Sequence, residues 1–127
     1  MFRLYNPNPV QSDGVGDCAV RAVARALNTD WETAYAKLAM NGFRMGDMPN
    51  SDNVIASVLR ANGFRRGVIP NTCPECYTIA DFARDNPSGA YVVKSDNHVT
   101  AVVDGDVYDA WDSTGRVPIY YWGKDNR

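Results

Sequence analysis

Two hydrophobic periods divide the chain. From Cys18 to Ala83 apolar positions recur every three or four residues, the spacing of helices that bury one face. From Ala90 onward β-branched and aromatic residues cluster in short runs, the composition of strands. The first stripe is Val20, Val23, Ala24 and Leu27, preceded by Asp17 as an N-cap type, which puts Cys18 at the first helical position. A second helix carries Trp31, Ala34, Tyr35 and Leu38; Thr29 and Glu32 fit a capping box at its start, and Asn41-Gly42 reads as its end. A third, capped by Asn50 or Ser51, carries Val54, Ile55, Val58 and Leu59 and stops at Asn62-Gly63. Asn-Gly-Phe-Arg occurs at 41–44 and again at 62–65, and the simplest reading is two similar helix ends.

A short strand fits between Phe64 and Ile69, and Thr78 caps a short helix ended by Asn86-Pro87. Strands are expected over 90–94, 98–103, 107–111 and 117–122. Asp104-Gly105 is a two-residue hairpin turn. Residues 1–16, with two Asn-Pro steps, form an irregular or extended arm. Helices first and an antiparallel sheet afterwards make an α+β fold, with residues 1–127 as one domain.

Composition narrows the function. A net charge of −2 and no basic run disfavour a binder of nucleic acid. No stretch is long and apolar enough to span a membrane, and the N-terminus has no signal-peptide core, so a cytoplasmic protein is expected. Three cysteines are an odd number, which leaves at least one thiol free in a monomer.

The chemistry centres on that thiol. A cysteine at a helix start meets unpaired backbone N–H groups and a field that favours negative charge, so its pKa falls and it becomes a usable nucleophile. The chain holds one histidine, His98, at the start of a predicted strand. If Asp104 and Gly105 alone form the turn, Val103 faces Asp106 and His98 comes opposite Trp111. His98, Thr100, Val102, Val107, Asp109 and Trp111 then share a face, and Asp109 is the diagonal neighbour of the imidazole. A three-residue turn or a bulge would bring Asp112 there instead. Cysteine, histidine and carboxylate are the types that thiol catalysis requires: the imidazole takes the thiol proton and returns it to the leaving group, while the carboxylate fixes the ring.

This layout resembles the papain-like cysteine proteases: a helix-leading cysteine, intervening helices, then histidine on one strand and Asn or Asp followed by x-Trp on the next. Asp109-Ala110-Trp111 is similar to their Asn-Ser-Trp, and Gly16-Asp17-Cys18 resembles the Asp-Cys of the compact bacteriocin-leader peptidases. Asn-Pro-Asn-Pro, Asp-Cys-x-x-Arg-Ala and Tyr-Asp-x-Trp-Asp also resemble small phage and mobile-element proteins, which bring no activity with them. The resemblance implies a cysteine peptidase or isopeptidase acting on a peptide or protein, with Cys18, His98 and Asp109 catalytic and no cofactor or metal. It also implies a glutamine about six residues before the cysteine as an oxyanion donor. Here that position is Ser12, so Gln11, Asn8 and Asn6 are the candidates. Deamidation or acyl transfer on the same triad is an alternative, as is a catalytically silent binding protein on the same frame.

Four signals remain. Arg21, one turn beyond Cys18, either holds an acidic substrate group or forms a structural ion pair. Trp111 and Trp122 are candidates for lining a groove, in a cluster of aromatics that is mostly core. Cys73-Pro74-Glu75-Cys76 has the spacing of half a zinc site or a redox pair, but an incidental loop pair is the expectation. The Gly42–Pro49 segment, with Met45 and Met48, reads as a solvated connector or as a flexible lip over the cleft. A chain this short is expected to offer a shallow cleft, selective for a flexible or glycine-containing segment. The sequence leaves the oligomeric state open.

Overall fold

The computed structural model describes residues 1–10 and 15–124. Its element order is β1 (Phe2–Leu4), α1 (Cys18–Ala26), α2 (Trp31–Met45), α3 (Asp52–Ala61), β2 (Arg65–Val68), α4 (Ile79–Asp85), β3 (Ala90–Ser95), β4 (His98–Val103), β5 (Asp106–Asp109) and β6 (Pro118–Lys124). The fold is mixed α+β: four helices packed on a six-stranded sheet of order β1-β5-β4-β3-β6-β2. The β1–β5 pair is parallel and every other neighbouring pair antiparallel.

Alternation along the central strands splits the core in two. Val92, Val99, Ala101 and Trp122 pack with the buried faces of α1, α2 and α3. Tyr91, Val93, Val102 and Val107 pack with Ile79, Phe82 and Ala83 of α4. Period 2 in the strands and period 3.6 in the helices produce this sandwich.

The hairpin between β4 and β5 sets the register that matters for the site. Asp104 and Gly105 both take positive φ, 50° and 82°, as a two-residue turn requires, and Val103 pairs with Asp106. β5 ends at Asp109, two residues earlier than the composition predicts. There the Ala110 N–H bonds to the Asp109 carboxylate at 2.8 Å, which turns the chain out of the strand. The N-terminal arm is not wholly irregular, since Phe2–Leu4 add an edge strand beside β5.

Helix ends depart from expectation at α2. Asp30, not Thr29, is its N-cap, accepting from the Thr33 N–H at 2.7 Å. The helix also runs through Asn41-Gly42 to Met45, and Gly46 at φ 65° closes it. Gly42 is there for space: a Cβ would lie 2.8 Å from the Asp47 carbonyl oxygen and 3.2 Å from the Pro49 nitrogen. The second Asn-Gly-Phe-Arg is a helix end, with Gly63 at φ 87°. Identical tetrapeptides thus do different work. Ser51 caps α3, and Thr78 with Asp81 forms a capping box on α4.

Cys73 and Cys76, expected as an incidental loop pair, are joined as a disulfide in the loop before α4. Among the described residues no helix is long and apolar enough to cross a membrane, and no cluster of three metal-ligating side chains occurs.

Gly42→Ala separates helix propensity from packing. Propensity alone favours alanine by about 1 kcal/mol. The close approach of the 47–49 backbone outweighs it, and a net loss of roughly 1–3 kcal/mol in urea unfolding is expected. A gain would show that the loop yields.

Candidate active site

Three elements converge at one end of the sheet. Cys18 begins α1, His98 begins β4, and Asp109 closes β5. The two-residue turn delivers Asp109 to the histidine: His98 Nε2 lies 2.6 Å from Asp109 Oδ2. Asp112 does not reach it. That carboxylate is exposed and accepts from the N–H and Oγ1 of Thr114 at 3.0 and 2.6 Å. The Cys18 thiol and the His98 ring interact, each shifting the other's titration.

Asp109 is buried, 1% exposed, and both of its oxygens are filled. Oδ2 accepts from His98 and from Ser113 Oγ at 2.7 Å; Oδ1 accepts from the Ala110 N–H at 2.8 Å and from Arg21 Nη2 at 3.2 Å. A buried carboxylate stays charged only when donors replace its water. Burial works to raise the Asp109 pKa, but the bonds from His98, Ser113 and Ala110 and the charge of His98 carry it below its ordinary value. The Trp111 ring lies 4.6 Å from the imidazole, centroid to centroid, with the Arg116 guanidinium 5.1 Å from the tryptophan ring on another approach.

The thiol and imidazole shift in opposite directions. Burial disfavours a thiolate at Cys18. The His98 hydrogen bond, the Val99 backbone N–H and the positive charges of His98 and Arg21 outweigh that, and the thiol pKa falls. Burial likewise disfavours an imidazolium at His98, but the bonds and charges of Asp109 and Cys18 push its pKa up to about 9. The lowered thiol and the raised imidazole both shift towards their charged forms, each through contact with the other.

Arg21 takes the structural role. It is 7% exposed and spans two carboxylates, pairing through Nη1 with Asp17 and through Nη2 with Asp109. Its Nε is buried with no hydrogen-bond partner among the described residues. Asp17 departs from its expected capping role as well. Its side chain makes no cap bond to α1; Oδ2 accepts from Trp31 Nε1 at 3.0 Å and Asn8 Nδ2 at 3.2 Å. These bonds tie the arm, α1 and α2 together.

The remaining candidates separate. Asn8 is buried, with Nδ2 directed to Asp17 and Oδ1 accepting from the Val10 N–H at 2.9 Å. Asn6 is exposed and its Oδ1 accepts from the Asn8 N–H at 3.3 Å. Gln11 lies outside the described residues. Trp122 is 3% exposed and packs against Tyr120, and the two line a cavity of about 350 Å³ with Arg60 and Arg66. Ser113 and the Val99 N–H were not legible. Ser113 sits in a stretch that reads only as a turn, and a backbone donor leaves no mark on composition.

The chain matches no family model, no curated protein and no solved structure.

Alkylation of Cys18 by iodoacetamide against pH tests these electrostatics. The midpoint is expected below the free-thiol value of about 8.5. In His98→Ala two of the lowering influences vanish and the midpoint moves up; an unchanged midpoint would contradict the contact. The ion pair also marks stability. A raised imidazole pKa contributes fully below the unfolded value of about 6.5 and is lost as pH climbs through about 9. A lowered carboxylate contributes above about 3.9 and is lost as pH falls through its folded value. The stability difference between the wild type and Asp109→Asn, followed by urea unfolding, should therefore shrink at both extremes. A difference independent of pH would count against the pair.

Proposed function

We propose that this chain is a papain-like thiol hydrolase that cleaves an amide bond in a peptide or protein. The single observation that carries the reading is the continuous contact from Cys18 through His98 to Asp109, with the thiol at a helix start. The order of parts supports the papain-like frame: thiol-bearing helix, further helices, then histidine and carboxylate on neighbouring antiparallel strands.

In this mechanism the Cys18 thiolate attacks the carbonyl carbon and the carbonyl π electrons move to oxygen. The Cys18 backbone N–H, at a helix start where no intrahelical acceptor exists, donates to that oxyanion. The imidazolium of His98 gives a ring proton to the leaving amine, and the C–N bond breaks to leave a thioester. The neutral imidazole then takes a proton from water, whose oxygen attacks the thioester, and the acid is released with the thiolate restored. Asp109, held by Ser113, Arg21 and the Ala110 N–H, keeps the ring oriented and balances its charge in both steps.

The test is mass spectrometry of a peptide mixture incubated with the protein. Peptide-bond cleavage is expected, and added hydroxylamine should divert part of the acyl product to a hydroxamate. Cys18→Ala should abolish both, and Asp109→Asn should lower kcat by roughly 10²–10⁴-fold. Conversion of glutamine side chains to glutamate without backbone cleavage would make the same triad a deamidase. No covalent product from any amide would overturn the enzymatic reading.

A further inference from the structure

The sheet ends in β1 on one side and in β2 (Arg65–Val68) on the other, three strands from the histidine on β4. The Ile69 N–H bonds to the Ile119 carbonyl at 3.1 Å and Arg65 stands opposite Gly123. Antiparallel residues alternate between facing the partner strand and facing away, so Arg65, Gly67 and Ile69 turn their backbone groups to β6. Arg66 and Val68 turn theirs outward. Those outward N–H and C=O groups meet no partner among the described residues, and Val68 is 76% exposed. An open edge of this kind takes up an extended chain as a further strand.

Both faces of the edge combine arginine with an aromatic ring. Alternation puts Arg66 on the α3 face, where its guanidinium lies 4.2 Å from the centroid of Tyr120 and lines the cavity of about 350 Å³ with Arg60. Arg65 is on the α4 face and lines a second cavity, about 680 Å³, with Lys124 and Tyr121. The phenol of Tyr121 reaches across β2, and a Cβ on Gly67 would overlap its ring. Arg60, Arg65 and Arg66 form no ion pair with a carboxylate among the described residues. Asp52, the acid in the smaller cavity, is taken by Lys94 Nζ at 3.1 Å and Tyr120 Oη at 2.7 Å.

Charge decides the occupant. A second copy paired through β2 would set arginine against arginine, and like charges on adjoining strands repel. Charges that only blocked pairing would stand free in water, whereas Arg66 lies on a ring and lines a cavity. Two outward residues offer few main-chain bonds, so side chains must supply much of the affinity. Successive side chains of an added strand point to opposite faces, and here both faces are cationic. Neighbouring carboxylates satisfy both.

We propose that the β2 edge binds an extended acidic peptide segment of a partner protein as a seventh strand. Its main chain pairs with Arg66 and Val68, one carboxylate meets Arg66 and Arg60, and the next meets Arg65 and Lys124. The proposal stands apart from the hydrolase reading.

The test titrates a fluorescein-labelled nonapeptide with the repeat Val-Glu-Glu against the full chain carrying Cys18→Ala, so that no cleavage intervenes, and follows anisotropy. Saturable binding is expected, weakened roughly tenfold or more by Arg65→Glu or Arg66→Glu. Circular dichroism checks folding, and Arg65→Gln and Arg66→Gln replace a variant that fails. The fully N-methylated peptide, with equal charge and no backbone donors, should bind roughly tenfold more weakly or worse. Hydrogen exchange of the Arg66 and Val68 amides should slow in the complex, while Arg65 and Gly67, already turned to β6, keep their rates. No binding, or binding unchanged in every folded variant, would overturn the proposal. So would equal binding of the methylated peptide, or unaltered exchange at Arg66 and Val68. A thymidylate nonamer that binds as tightly as the peptide would overturn it too, by making the patch a surface for nucleic acid.

Discussion

One buried carboxylate carries the arrangement. Asp109 receives donors from β4 through His98, from α1 through Arg21, and from its own segment through Ala110 and Ser113. Removing water from a carboxylate is costly unless its oxygens are filled, and here four donors fill them. The same bonds do geometric work. They stop β5, hold the imidazole at 2.6 Å, and pull the second turn of α1 against the sheet, so that Cys18 one turn earlier meets the ring. Arg21 extends the system to Asp17, and Asp17 extends it to the arm and α2 through Asn8 and Trp31.

The electrostatics follow from that geometry. Arg21 and His98 bring positive charge to a site that holds Asp17, Asp109 and the Cys18 sulfur, and the start of α1 adds partial positive charge of its own. Such surroundings lower the Cys18 thiol pKa and raise that of the His98 imidazole, so each group favours the charged form of the other. The Trp111 ring lies against the imidazole, 4.6 Å between centroids, and is itself 40% exposed.

The parts of this that were legible in the sequence were local. Asp104-Gly105 fixes a two-residue turn, and from that turn alone the pairing of His98 with Asp109 follows by counting. The start of α1 at Cys18 was legible from Asp17 and the stripe behind it, even though the Asp17 side chain bonds elsewhere. What escaped depends on contacts between distant segments. Arg21 and Asp109 are 88 residues apart, and nothing in either neighbourhood distinguishes a substrate-facing arginine from a buried bridge. The end of α2 was misplaced because Gly42 answers to the loop packed on it, not to the local signal that stops α3 at Gly63. The strand Phe2–Leu4 pairs with residues more than a hundred positions away, and its three residues carry no periodicity to find.

The central claim is that His98 is held as an imidazolium between Asp109 and the Cys18 thiolate. Because the chain has a single histidine, its ring resonances can be followed by nuclear magnetic resonance without ambiguity. The measurement is the titration of the His98 ring nitrogens before and after capping Cys18 with a methyl disulfide. The account predicts a midpoint near 9 in the free protein and a clear fall once the sulfur is capped. A midpoint at or below about 6.5, unmoved by the cap, would contradict it.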